Sequence, residues 1–247
     1  MKFPSLQDRV VLVTGGGAGI GEELVEAFVG QGARVAFFDR AIETSKQVVE
    51  RLDGKPLFVP VDLTDIEAIR AGVARVEAEL GPVGVLVNNA GWDERCSIED
   101  VTPEFWDLVQ GINLKPYFFT AQAVAPGMRA AGGGSIVNLG STSWRLAIGG
   151  MPAYTTAKAG IEGLTRGLAR DLGSHGIRAN VVLPGWVMTK RQRERWVTPE
   201  ALAETLERQC VPIELQPADI SPTVLFLASD AARAVTAQSW CVDGGVT

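Results

Sequence analysis

The sequence predicts an α/β fold, a doubly wound parallel sheet of about seven strands flanked by helices. Three observations carry this. Apolar, β-branched runs alternate with helical patterns along most of the chain. The runs read as strands buried on both faces, which a parallel sheet covered by helices requires. A glycine-rich turn, Thr14 to Gly21, joins the first run to the first helical pattern.

"RVVLVT" (Arg9 to Thr14) is the first strand. Ile20, Leu24 and Phe28 then recur four residues apart, with Val25 and Val29 beside them, as one face of a helix does. "RVAFF" (Arg34 to Phe38) is the second strand and "PLFVPV" (Pro56 to Val61) the third. A helix over Thr64 to Leu80 leads to "VGVLVN" (Val83 to Asn88), and one long helix, Thr102 to Ala131, leads to "SIVNL" (Ser135 to Leu139). A helix over Pro152 to His175 precedes "RANVVL" (Arg178 to Leu183); a helix over Pro217 to Ala228 precedes a last strand near Ser239 to Val242. No Pro/Ser-rich linker divides the chain, so residues 1–247 read as one domain. Thr189 to Pro212 is charged and long for a connection, and reads as a lid insertion over the substrate.

Composition narrows the function. The 247 residues are 46% hydrophobic and 21% charged, ordinary for a globular protein. A net charge of −6 disfavours nucleic acid and anionic membrane as partners. No apolar run approaches the ~18 residues of a spanning helix. The N-terminus reads as a strand opening a domain and not as a signal peptide. Three cysteines, Cys96, Cys210 and Cys241, with no Cys/His cluster, fit neither a disulfide framework nor a metal site. A reduced, cytoplasmic protein is expected.

The turn "TGGGAGIG" places Gly15, Gly17, Gly19, Ile20 and Gly21 between a strand and a helix. Backbone N–H groups there can approach a diphosphate at the helix N-terminus. The spacing fits neither G-x-G-x-x-G nor a P-loop, where Glu22 replaces the lysine. Asp39 ends the second strand, where an acid would bind the adenosine ribose hydroxyls and repel a 2′-phosphate, so NAD is expected. Arg40 beside it is the alternative, since an arginine could meet that phosphate.

Ser141 lies just past a strand, and Tyr154 and Lys158 lie four apart at a helix start, on one helical face. A phenol with pKa ~10 is a poor base at neutral pH. A nearby ammonium and an oxidised nicotinamide would favour its phenolate, making the pair a general base for an alcohol proton. Ser141 could hold the substrate oxygen.

With these residues, the chain resembles the short-chain dehydrogenase/reductases over its whole length. The matches are "TGGGAGIG", "VDL" (Val61 to Leu63), "NNAG" (Asn88 to Gly91), "GINL" with Asn113, Ser141, "YTTAK" and "PGWVMT" (Pro184 to Thr189). Ser141 and Tyr154 stand thirteen residues apart, the usual family interval. The resemblance implies a Rossmann-type sheet and four catalytic residues. Ser141 would orient the substrate, Tyr154 act as acid/base, Lys158 bind ribose and lower the tyrosine pKa, and Asn113 serve the proton relay. It implies Asp62 and Leu63 at the adenine, and Asn89, Ala90 and Gly91 along the nucleotide. It implies Pro184, Gly185, Val187 and Thr189 at the nicotinamide, and dimers or tetramers formed through the two long helices. Asn88 could instead tie strands together.

Four of the six tryptophans follow strands: Trp92, Trp144, Trp186 and Trp196. Polar residues accompany them, among them Asp93, Ser143 and Arg191. Aromatic faces with many polar groups suit a polyhydroxylated ligand. The alternative is that the tryptophans pack the lid and subunit contacts. "NNAGWDERC", "GSTSW", "TKRQ" and "RQC" are similar to the bacterial aldose 1-dehydrogenases, which implies an aldose sugar oxidised at its anomeric carbon to a lactone. Trp144 would then shape the sugar pocket beside Ser141, and Trp92, Asp93, Ser143, Trp186 and Arg191 would complete it.

Overall fold

The computed structural model describes residues 1–247, Met1–Thr247. Seven parallel strands form one sheet: β1 (Val10–Thr14), β2 (Arg34–Asp39), β3 (Leu57–Pro60), β4 (Val85–Asn88), β5 (Gly134–Leu139), β6 (Ile177–Pro184) and β7 (Ser239–Val242). Their order is β3-β2-β1-β4-β5-β6-β7, every neighbouring pair parallel. The connecting helices are α1 (Gly19–Gly30), α2 (Ile42–Arg51), α3 (Ile66–Leu80), α4 (Pro103–Asn113), α5 (Lys115–Ala130), α6 (Pro152–Leu172), α7 (Lys190–Arg195), α8 (Pro199–Arg208) and α9 (Pro217–Ala228).

β1 shows why its run is continuously apolar. Successive side chains leave a strand on opposite faces. Val11 and Val13 join a core with Leu24 and Phe28 of α1 and Ile220 and Val224 of α9. Val10 and Leu12 join a second core with Ile69 of α3, Met128 of α5 and Leu168 of α6. The same split runs through β2, with Val35 and Phe37 on one side and Ala36 and Phe38 on the other.

The structure redraws several expected elements. The helix expected over Thr102 to Ala131 is two helices, broken at Leu114 (φ −128, ψ −53). Pro116 sits in the first turn of α5, where its missing N–H and its ring end the preceding helix. The helix from Pro152 stops at Leu172 and a 3₁₀ turn carries the chain through His175. α2 has no counterpart in the reading of the sequence. The Thr189 to Pro212 segment is not an open loop but holds α7 and α8, and neither buries a residue. No helix is long and apolar enough to cross a membrane.

Candidate active site

The strand order reverses between β1 and β4, and ligands of such sheets bind beyond the carboxyl ends at that point. The glycine turn leaves β1 there and the Asn89–Gly91 loop leaves β4. Thr14 joins them: its hydroxyl accepts from the backbone N–H groups of Asn89 (3.0 Å) and Ala90 (3.2 Å). Asn89 Nδ2 in turn donates to the carbonyls of Thr14 (3.0 Å) and Gly15 (3.1 Å).

The residues present fit a dinucleotide. A Cβ at Gly21 would stand 1.8 Å from the Gly15 carbonyl oxygen, so the turn can close only over bare backbone at that point. Gly15 itself has φ +69, in the left-handed region, with the Ala90 Cα 2.8 Å from where its Cβ would be. Asp39 lies against this cradle: its carboxylate accepts from Gly17 N–H and Ala41 N–H, both at 2.9 Å. Arg40 is exposed, and its charge acts on Asp62. Hydrogen bonds from Thr64 backbone and side chain, helped by Arg40, hold the Asp62 carboxyl below its usual range. Ile20 and Leu63 are partly buried against the two cores, and Val187 is buried, so Val187 can meet a ligand only through its backbone. The β6 end reaches the glycine turn through Thr189, whose methyl lies 3.2 Å from the Cβ position of Gly19. Pro184 O accepts from Thr142 (3.2 Å), and Gly185 N–H donates to Val242 O (2.9 Å), which pins that turn beside β7.

Ser141, Tyr154 and Lys158 converge beyond β5. Ser141 Oγ donates to Ser143 Oγ (3.0 Å) and accepts from Ser143 N–H (3.1 Å). Lys158 is buried, with Nζ 5.7 Å from the Tyr154 ring centre. Nζ donates to Leu139 O at 3.0 Å and to the Tyr117 hydroxyl at 3.2 Å. Burial pushes the Lys158 ammonium down to about 7, opposed by the charge of Asp93. Burial pushes the Tyr154 phenol well above its usual value; Asp93 adds to this and Ser141 opposes it. This corrects one expectation: in the chain alone the phenol is not depressed by Lys158. The lysine's positive charge is itself disfavoured by burial.

Asn113 is fully buried and its amide is committed to structure. Oδ1 accepts from Trp92 N–H (2.8 Å), and Nδ2 donates to Trp92 O (3.1 Å) and Val109 O (3.0 Å). Its side chain therefore fixes the loop after β4, so any relay contact falls to its backbone. Asn88 does tie elements together, donating to Asn138 Oδ1 (2.9 Å) and Tyr117 O (3.1 Å).

On the substrate side, the structure brings the loop after β4 onto α7. Arg191 bonds Asp93 (3.0 Å) and Glu94 (3.2 Å), and Arg195 bonds Glu94 (2.6 Å). Gln192 donates to Asp93 and accepts from Trp186 Nε1 at 2.8 Å. Arg191 is thus spent on acids, and Asp93 faces both α7 and the Tyr154–Lys158 pair. Trp92 packs on Phe105 at 5.9 Å. Trp144 lines a groove of about 250 Å³ with Ser143, which bonds Ser141, and with Thr155, Thr156 and Ala159 of α6. Those positions lie roughly a third of a turn round the helix from Tyr154 and Lys158. A larger hollow, about 650 Å³, lies at the β3 edge against Lys46, Lys55 and Phe58, away from these groups. Tyr117 was missed by the reading of the sequence; its one signal there is its place four residues past Asn113.

Residues 15–247 match the family model described as enoyl-(acyl carrier protein) reductase. The chain is 51% identical to "Probable galactose dehydrogenase GalD" of Rhizobium meliloti, over 99% of this chain and 97% of that protein. It is 47% identical to the D-xylose 1-dehydrogenase of Caulobacter vibrioides, over 98% and 97%. A solved short-chain type dehydrogenase/reductase from Mycobacterium ulcerans superposes with TM-score 0.93 at 29% identity, covering 100% of this chain and 91% of that one.

Proposed function

The chain belongs to the short-chain dehydrogenase/reductase family and is an oxidoreductase of that type, and we propose that it oxidises an aldose at C1 to the aldonolactone with NAD. Bound in the cleft, NAD would supply a hydride acceptor and a positive charge beside Tyr154. The chain's own groups do the rest. Ser141 holds the anomeric hydroxyl, and Tyr154 takes its proton as hydride leaves C1. Lys158 holds the ribose and favours the phenolate. The ring oxygen stabilises the positive charge that develops at C1, and water can open the lactone afterwards.

The observation that carries this reading is the juxtaposition of Ser141, Tyr154 and Lys158 with a cleft edged by Asp93, Gln192 and Trp186. The names of the two sugar-acting relatives support the substrate class. Asp39 against Gly17 supports NAD over NADP. Exposed Trp106, Leu108 and Phe118 on α4 and α5 support assembly into dimers or tetramers.

An absorbance assay of reduced nicotinamide, run over an aldose panel with both cofactors, tests this. Aldose-dependent reduction of NAD is expected, and Asp39→Ala should narrow or reverse the preference for it. Turnover of a ketoacyl thioester or simple ketone, with no aldose active, would establish the reductase alternative.

A further inference from the structure

The chain has only two tyrosines, Tyr154 and Tyr117. Tyr117 is 1% exposed and projects from α5 into the space where β4 and β5 end. Asn88 Nδ2 holds its backbone carbonyl. Its hydroxyl proton is shared between the Ala90 and Leu139 carbonyls, each at 3.0 Å. The same oxygen accepts from Lys158 Nζ at 3.2 Å.

An ammonium has three donors. Lys158 gives one to Leu139 O and one to the Tyr117 oxygen. Nζ also lies 3.3 Å from the Cβ position of Gly91, where the missing side chain leaves the cleft open. The titratable groups around Nζ are Tyr154 on α6, Tyr117 on α5 and Asp93 in the loop after β4. Its other close neighbour, Leu139 O, is neutral. Its two protein acceptors are thus a carbonyl and a phenol oxygen, with no carboxylate in hydrogen-bond contact.

We propose that Tyr117 is a positioning residue for Lys158, holding the ammonium between the ends of β4 and β5 with its third N–H free for the cofactor. This rests on the role of Lys158 proposed above. A phenol oxygen that accepts from the ammonium favours its charged form, against the burial that pushes it down to about 7. Without it the lysine loses its proton more readily, less positive charge reaches Tyr154, and the phenolate is harder to form.

Tyr117→Phe keeps the packed ring and removes only that oxygen. At neutral pH, NAD-linked oxidation should fall up to about tenfold. The rise of rate with pH should move upward by about one unit, and raising the pH should recover most of the loss. A purely structural role would lower the rate at every pH. Wild-type rate and pH profile in Tyr117→Phe would overturn the proposal. Failure of the wild-type protein to oxidise any aldose would instead count against the functional reading.

A second measurement does not depend on that variant folding. In Tyr154→Phe protein labelled with 3-fluorotyrosine, Tyr117 gives the single ¹⁹F resonance. Burial pushes the Tyr117 phenol up, and because ring fluorine makes a phenol more acidic, phenolate absorbance is followed alongside to separate the ring's own ionisation from that of Lys158. The resonance should titrate with a midpoint near the lysine's value of about 7 and shift when NAD is added. A resonance flat from about pH 5.5 to about pH 9, and indifferent to NAD, overturns the proposal.

Discussion

The glycine cradle and the α7–α8 segment meet at Thr189, and they are held by different forces. The cradle closes backbone on backbone, with Gly21 against the Gly15 carbonyl and Thr14 bonded to Asn89 and Ala90. Behind it lies a core of fully buried side chains, among them Val13, Leu24 and Phe37. α7 and α8 have no fully buried residue, and α7 is tied to the loop after β4 by ion pairs, Arg191 to Asp93 and Glu94, and Arg195 to Glu94. Partly exposed pairs of this kind are each worth about 0–1 kcal/mol, and salt weakens them further. The difference teaches where variation is tolerated. A cradle without spare volume tolerates little change, whereas a segment held by weak, replaceable contacts tolerates substitution.

The sharpest break in that comparison lies at the chemistry between the two regions. Tyr154→Phe should lower oxidation by ~10²–10⁴-fold while NAD still binds, which a rate assay beside a fluorescence titration reads. The pH dependence follows from the same group. Burial and Asp93 raise its pKa, and the proton-accepting form is the phenolate. Oxidation should therefore climb as pH rises from about 6 to about 9, and the reverse reduction should favour the lower end. An oxidation rate flat over that range would place the base elsewhere.

Next comes the cradle. Gly21→Ala puts a methyl into the Gly15 carbonyl, so the turn must open; NAD affinity should fall at least about tenfold, with far less change in the KM for sugar measured at saturating NAD. The α7–α8 segment should respond more gently. Glu94→Gln removes the acid shared by Arg191 and Arg195. The sugar KM should rise about two- to fivefold, and added salt should shrink the difference between variant and parent. If instead this variant costs more than Gly21→Ala, the α7–α8 segment is not the weaker of the two regions. The smallest effect is expected at Trp144→Ala, because neither Tyr154 nor Lys158 lines its groove. Sugar turnover should change by no more than about twofold; a loss confined to sugar use would return Trp144 to the pocket.

Much of the fold and half of the site were legible in the chain itself. Continuous apolar runs such as "RVVLVT" announce strands covered on both faces, because parallel strands have no solvent face to mark with polar residues. The glycine turn, Asp39, and the four-residue step from Tyr154 to Lys158 are local patterns, and local patterns survive folding: a helix always stacks such a pair on one side. The break at Leu114 was also written in the sequence, as Pro116, but helical periodicity on both sides of it reads as one long helix.

Only the tertiary structure decided who meets whom. Arg191 finds Asp93 from 98 residues away, and Tyr117 finds Lys158 from 41 residues away. Periodicity says which face of an element is buried but not which partner is buried against it. Trp144 shows the same limit: the sequence puts it three residues past Ser141, but only the fold sets its ring in a groove with Thr155, Thr156 and Ala159 of α6. Lys158 shows it in energetic form. The ammonium beside a tyrosine is a sequence fact, but whether it can charge that tyrosine depends on burial, which pushes it down to about 7, and on a phenol delivered from another helix. Desolvation and hydrogen-bond partners are properties of packed volume, and they exist only once the elements have closed on one another.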